Sequence, residues 1–168
     1  RAAGRFALIR FLFSALLITC AFALLGTQSG EWTIQGLITG HVTLSHEILL
    51  LSLGLMIMAA LVQCALFLFY KWLLSSMTAP TPVSALMHAG LVNAGGFLLV
   101  RFAPLFGNLP DVMVVIFILG TLSAALGTLW MMTQSTIKAS LGCSTVAQMG
   151  FMIMQCGLGF FSAAIAHL

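Results

Sequence analysis

The chain has 168 residues, of which 61% are hydrophobic and only 5% are charged. Soluble globular domains carry roughly 25% charged residues, so a chain of this composition could not cover a water-facing surface. The net charge of +3 rests on scattered basic residues, which excludes a nucleic-acid interface built from clustered Lys and Arg. Lipid is the solvent that fits this composition.

Long apolar runs divide the chain into membrane-spanning segments, each close to the ~20 apolar residues that a helix needs to cross a bilayer. The sequence predicts an all-α, polytopic transmembrane helix bundle. We expect residues 1–168 to be one piece of a larger membrane domain, without a separate soluble domain. The five complete predicted spans and the start of a sixth are Phe6–Leu25, Ile48–Tyr70, Val83–Phe102, Val112–Met132, Ala139–Leu158 and the residues from Phe160 onwards.

Two prolines interrupt the chain between the second and third spans. The second span ends in Lys71 and a short amphipathic tail to Met77, and Pro80 and Pro82 follow. Proline breaks a helix that precedes it, because it lacks an N–H group, yet it suits the first turn of the next helix. We therefore predict a helix break at these prolines, directly before the third span.

The charged residues favour one orientation of the bundle. Alternating spans place Arg1, Lys71 and Lys138 on one side and the acidic Glu31 and Asp111 on the other. Because Lys and Arg near helix ends concentrate on the cytoplasmic side, the first side is predicted to face the cytoplasm.

His88 and Gln63 are polar side chains inside apolar runs. A polar or charged group within the bilayer is costly unless it faces protein or water. Histidine can take up and release a proton near neutral pH, so His88 suits a proton relay; a packing hydrogen bond explains it equally well. Gln63 favours a hydrogen bond between helices over a place in a pathway.

The fifth span begins at Lys138 and carries a polar stripe, which must face protein or water in a lipid-spanning helix. The stripe fits either a hydrated path or helix packing. Lys138 fits either an anchor that snorkels to the cytoplasmic surface or a functional cation. His167 lies in the incomplete sixth segment. The members of the stripe are Ser140, Ser144, Gln148 and Gln155.

The fourth span contains a row of small residues, and catalytic motifs are absent from the whole sequence. Gly120, Ala124 and Thr128 are spaced for close packing against another helix. The sequence contains no phosphate-binding loop, dinucleotide fingerprint, nucleophile triad, metal-ligand set or CxxC pair. We therefore expect no catalytic chemistry, cofactor or metal in this chain.

Two stretches resemble signature motifs of the antiporter-like membrane subunits, the family of complex I subunit L/5 and the large Mrp-type sodium/proton antiporter subunits. They are Met77–Ala89, MTAPTPVSALMHA, and Thr136–Met152, TIKASLGCSTVAQMGFM. Ala163–Leu168 is similar to the start of the family's histidine-containing helix. The resemblance implies an ion-translocating subunit with a broken helix before the Pro-Thr-Pro motif. The ion-pathway residues that it implies are His88, Lys138, His167, Gln63, Ser144 and Gln148.

Within this family, His88–Leu105 and Ser144–Gly159 look most like the DabB branch, the membrane subunits of two-component systems that accumulate bicarbonate or CO2. That resemblance implies uptake driven by ion flow, with the proton as the expected ion, at the bacterial inner membrane. It also implies a large, soluble, zinc-containing DabA-like partner. Two alternatives stay open: a subunit L/5 or Mrp-type antiporter subunit, and an anchor that recruits a partner without conducting ions.

The chain departs from the family pattern at three positions. The lysine of the family's broken helix falls at Gln63, and the acidic residue of the preceding helix falls at Phe13. The arginine that follows Ile-Lys in the family is Ala139 here. Without the lysine, a proton half-channel of the complex I type loses its central carrier.

Overall fold

A computed structural model describes residues 2–39, 45–77, 79–107 and 109–167 of the chain; the predicted cytoplasmic residue Arg1 lies outside the described residues. Every regular element within these ranges is helical, and no strand occurs in them, so the predicted all-α fold is confirmed. The elements in chain order are α1 (Ala2–Ser29), α2 (Ile34–Thr39), α3 (His46–Gln63), α4 (Lys71–Ser76), α5 (Thr81–Leu86), a π-helical segment (Met87–Leu91), α6 (Ala94–Arg101), α7 (Ala103–Phe106), α8 (Pro110–Thr133), α9 (Ile137–Gly157) and α10 (Phe161–Ile165).

Four helical stretches among the described residues are long and apolar enough to cross a membrane, which makes the chain a multi-pass membrane protein. The predicted fifth span corresponds to α9, a helix of 21 residues whose polar stripe lowers its hydropathy, and it is not one of the four. The fifth and sixth spans therefore stay predictions. The four stretches are Gly4–Ser29, His46–Gln63, Thr81–Arg101 and Pro110–Thr133.

The second predicted span is not a continuous helix. α3 ends at Gln63, and residues 64–70 form turns before α4 begins at Lys71. A continuous helix over Ile48–Tyr70 is therefore wrong at its C-terminal end, and Gln63, expected in mid-span, lies at a helix terminus. The broken helix before the Pro-Thr-Pro motif, which the family resemblance implied, is confirmed. An apolar run buries the same side chains whether its backbone is helical or turned, so hydropathy did not reveal the break.

Ala65 closes the end of α3 in an unusual backbone conformation. Its φ is +50°, in the left-handed region that glycine usually occupies. The N–H of Leu66 donates to the Leu61 carbonyl at 3.1 Å, and the N–H of Ala65 donates to the Val62 carbonyl at 3.2 Å. These two bonds are those of a Schellman cap, which satisfies the last carbonyls of a helix.

Side chains from other parts of the chain complete the break. The indole Nε1 of Trp72 donates to the Val62 carbonyl at 3.0 Å. The N–H of Phe67 donates to the Ser123 hydroxyl on α8 at 3.2 Å, and that hydroxyl donates to the Val146 carbonyl on α9 at 3.5 Å. Non-helical backbone is tolerated in a membrane only where such internal partners exist, so α8 and α9 stabilise the break.

The predicted proline break lies at the start of the third span. α4 ends at Ser76, and α5 begins at Thr81, with Pro80 as its N-cap residue and Pro82 in its first turn. The span before the Pro-Thr-Pro motif is thus broken twice, once at residues 64–70 and once at the prolines.

The third span is itself irregular. Met87–Leu91 is π-helical, and the N–H of Val92 donates to the Met87 carbonyl, five residues back, at 3.1 Å. Single π-helical turns inside α-helices occur frequently at functional sites. His88 is the second residue of this one.

α8 and α9 pack closely along their lengths. A Cβ added at Gly127 would lie 2.6 Å from the nitrogen of Ala147, and one at Gly120 would lie 2.9 Å from the carbonyl oxygen of Gly150. A Cβ at Gly150 would in turn lie 2.8 Å from the Cα of Ala124. The predicted close packing through small residues is confirmed at Gly120 and Ala124.

Candidate functional site

The π-helical segment places His88 against α9. Its Nδ1 lies 3.0 Å from the Thr145 hydroxyl oxygen, and that hydroxyl donates to the Leu141 carbonyl at 3.1 Å. A hydroxyl has only one proton, so when Thr145 gives it to the Leu141 carbonyl the histidine is the donor in this pair and Nδ1 carries the proton. In the neutral ring Nε2 is then unprotonated and can accept a proton.

Gln63 contacts the same π-helical segment from α3. Its Nε2 donates to the Leu91 carbonyl at 2.9 Å. Leu91 is the last residue of the π-helical segment and Gln63 is the last residue of α3, so one hydrogen bond joins the two irregular spans. Gln63 also lines a cavity of about 330 Å³ together with Ser14 of α1 and Gly95 of α6.

Lys138 joins the start of α9 to the proline turn. Its Nζ donates to the Ala79 carbonyl at 3.2 Å, and Ala79 directly precedes Pro80. A cation at a helix N-terminus is opposed by the helix dipole, so the carbonyl partner compensates for an unfavourable position. The structure brings Lys138 to the broken region but not to His88 itself.

His167 and Gln155 form a separate polar pair between α9 and the end of the described chain. The two Nε2 atoms lie 3.2 Å apart. The amide nitrogen can only donate, so the imidazole Nε2 is the acceptor. Gln155 Oε1 is buried without a hydrogen-bond partner among the described residues.

Within the described part of α9, Ser144 and Gln148 make no hydrogen bond to the His88 pair. Ser144 is half-buried and Gln148 is exposed. Thr145, which sequence reasoning did not single out, provides the contact instead. A signal was present, because Thr145 follows Lys138 by seven residues and precedes Gln148 by three, which puts all three on one helix face.

A resident metal has no visible binding site in this part of the protein. Within the ranges that the structure describes, no three His, Cys, Asp or Glu side chains lie together as metal ligands would. The expectation that this chain carries no metal or cofactor stays a prediction.

Discontinuous membrane helices that meet at polar side chains are characteristic of ion-translocating and transporter proteins. Comparison with known families identifies the class of membrane protein to which the chain belongs. The chain belongs to the family described as NADH:quinone oxidoreductase/Mrp antiporter, TM, whose model matches residues 1–168. The family inferred from the two sequence motifs is thereby confirmed.

Individual relatives fall in more than one branch. The chain is 52% identical over 114 residues to the probable inorganic carbon transporter subunit DabB1 of Halothiobacillus neapolitanus, which is 68% of this chain and 20% of that protein. It is 46% identical over 115 residues to the chloroplastic NAD(P)H-quinone oxidoreductase subunit 5 of Nephroselmis olivacea, 68% of this chain and 18% of that protein.

A solved structure has the same fold. The Mrp complex from Dietzia sp. DQ12-45-1b superposes with a TM-score of 0.91 at 29% sequence identity, over 98% of this chain and 19% of that chain. This chain therefore spans about a fifth of each of these three proteins.

Proposed function

We propose that this chain is part of the proton-translocating membrane subunit of an energy-coupled uptake system for inorganic carbon. The observation that carries the proposal is the His88–Thr145 pair, which holds an imidazole against α9 inside a membrane span; with Nδ1 donating to Thr145, Nε2 is the proton acceptor. The likeness to the DabB1 protein supports bicarbonate or CO2 as the transported substrate.

A partner and a location follow from the same likeness. The relative is named as a subunit, which supports assembly with a second protein. The proposed partner is a large, soluble, zinc-containing DabA-like protein, and the proposed location is the bacterial inner membrane. Lys138, His167, Ser144 and Gln148 are proposed to extend the ion pathway beyond His88.

A subunit of an NADH:quinone oxidoreductase or of an Mrp-type antiporter is the second candidate. The TM-score of 0.91 against the Mrp complex and the 46% identity to the chloroplast subunit 5 favour it. Gln63 argues against it, because a neutral amide cannot carry a proton and its Nε2 is already bound to the Leu91 carbonyl. A neighbouring DabA-like gene, rather than a set of complex I genes, would favour the first candidate.

Accumulation of labelled bicarbonate tests the proposal. The full-length protein that contains this chain (the parent) is expressed together with its large partner in a bacterium that lacks carbonic anhydrase. Uptake is then measured with and without a protonophore. We expect accumulation that collapses with the protonophore. Accumulation that persists would replace the proton by a sodium gradient, and its absence from cells with well-inserted protein would overturn the carbon proposal in favour of the second candidate.

A further inference from the structure

We infer that Gln63 is a positioning residue that holds His88 in its orientation through the Leu91 carbonyl. The inference rests on the proposed function only in taking His88 as the group that carries the proton. It gives Gln63 a role different from that of a carrier, since its amide acts on the backbone of the π-helical segment.

The end of α3 is a fixed point from which Gln63 can act. The Schellman cap around Ala65 and the indole of Trp72 hold the last turn of α3, and both of these residues are fully buried. A side chain on a fixed turn can hold its partner at a constant position, whereas one on a mobile loop cannot.

Close backbone contact between α3 and α6 sets the distance that the Gln63 side chain must span to reach Leu91. A Cβ added at Gly95 would lie 2.7 Å from the Ala60 carbonyl oxygen and 2.7 Å from the Cys64 sulfur. Glycine at this position lets the two helices approach, and Ala60 and Cys64 are fully buried at the contact. The Gln63 side chain is therefore held within reach of the Leu91 carbonyl.

The π-helical segment receives side-chain donors at two of its carbonyls. Gln63 donates to Leu91, and Asn93 Nδ2 donates to Ala89 at 3.3 Å. A side chain that intervenes in the backbone hydrogen bonds of a helix is a recognised cause of helix irregularity. The segment is thus held by an amide from α3 on one side and by the His88–Thr145 contact on α9 on the other.

Loss of the Gln63 donor is expected to let the π-helical segment relax toward α-helix. A π-helical turn contains one residue more than an α-helical turn. Losing that extra residue would rotate the neighbouring side chains about the helix axis by about 100°, the angle between successive residues of an α-helix. His88 would turn relative to α9, and its Nδ1–H would lose the Thr145 oxygen. The tautomer that leaves Nε2 free to accept a proton would no longer be fixed.

The test uses full-length parent in nanodiscs with ¹⁵N-labelled histidine. The variants are Gln63→Leu and Gln63→Met, which keep an apolar body of similar size without a donor; Gln28→Leu, at an exposed glutamine of α1, is the matched control. The His88 signals are identified by their loss in His88→Asn. We expect the Nδ1-protonated pattern in the wild type and the control, and a mixture of tautomers in both Gln63 variants.

Transport is measured on the same variants. We expect uptake to fall about 10- to 100-fold in Gln63→Leu, the range that misplacement of a reacting group produces. Because Gln63 acts through His88, the double variant Gln63→Leu/His88→Asn should transport no worse than His88→Asn alone. A further drop in the double variant would overturn the inference.

The two proposals fail in different ways. Unchanged His88 signals in both Gln63 variants would overturn the positioning role, whatever the uptake. Full uptake in His88→Asn would overturn the proton role of His88, while the tautomer measurement would still report whether Gln63 positions the ring. If Gln63→Leu does not insert, Gln63→Met supplies the same comparison with an unbranched side chain.

Discussion

The Thr145 hydroxyl lies between the His88 Nδ1 and the Leu141 carbonyl of its own helix. When its single proton goes to Leu141, its oxygen accepts from the His88 Nδ1–H. An orienting partner that fixes one imidazole nitrogen leaves the other available for proton exchange. Substitutions at His88 and Thr145 therefore test the proton chemistry and the orienting contact separately.

Replacing His88 by asparagine separates its hydrogen bond from its proton chemistry. The Asn side-chain amide retains an N–H donor for Thr145 but cannot accept and release a proton. We expect His88→Asn to insert normally and to lower uptake by about 100-fold, the scale of general acid–base contributions. The measurement is initial uptake per inserted protein, with His46→Asn, at an exposed position at the start of α3, as the control. Uptake equal to that of the control would contradict a proton-carrying role.

Replacing Thr145 by valine tests the orienting contact itself. Valine has a similar shape but no oxygen, so the half-buried His88 ring loses its hydrogen-bond partner, at a cost of about 0.5–1.5 kcal/mol. We expect uptake to fall about tenfold in Thr145→Val, since 1.4 kcal/mol corresponds to a factor of ten. Thr145→Ser, which keeps the hydroxyl, should stay near wild type. Equal rates in the two variants would show that the hydroxyl is not used.

At the scale of elements, α8 and α9 act as one packed unit that supports the broken helix. Their backbones approach through Gly120, Gly127 and Gly150, and Ser123 at their interface receives the Phe67 N–H from the break. In lipid, helices associate through close packing and hydrogen bonds rather than through the hydrophobic effect, so small residues at this interface determine stability.

Gly127→Val is expected to destabilise the protein. The new side chain would meet the Ala147 backbone, because even its Cβ would lie 2.6 Å from that nitrogen. Overpacking of this kind costs about 1–3 kcal/mol or more. Thermal unfolding of the detergent-solubilised parent should show a lower midpoint. Gly54→Ala is the control, since a Cβ there meets nothing within 4 Å, and its midpoint should not fall.

At the scale of the whole molecule, charge and hydropathy determine how the chain lies in the membrane. Lys71 and Lys138 belong to the ends that the positive-inside rule assigns to the cytoplasm, and Asp111 begins α8 at the opposite end of the predicted bundle. The hydrogen bond from Lys138 to the Ala79 carbonyl agrees with this arrangement, because it brings the start of α9 to the loop before α5.

Cysteine labelling tests the orientation. Lys71→Cys and Asp111→Cys are introduced one at a time into a parent without other reactive cysteines. A membrane-impermeant maleimide should label Asp111→Cys in intact cells with a permeable outer envelope, and Lys71→Cys only after the inner membrane is opened. The reverse pattern would contradict the predicted orientation.

Composition and local motifs were sufficient for the class of protein. A chain with 5% charged residues and repeated apolar runs has to lie in lipid, whatever its detailed contacts. The Pro-Thr-Pro stretch predicted the start of α5, because proline acts on the backbone within one turn. The small-residue row predicted a closely packed face on α8, and the structure supplied α9 as its partner.

Contacts between residues far apart in the sequence decided where the helices break and which residue contacts His88. The turns after Gln63 receive a hydrogen-bond partner from Ser123 on α8, and the π-helical segment receives a side-chain donor from 28 residues earlier. The partner of His88 lies 57 residues away, on a helix whose face toward the third span only the tertiary packing determines. Hydropathy records how apolar each segment is, but the free energy of a helix break depends on which distant groups satisfy its freed backbone.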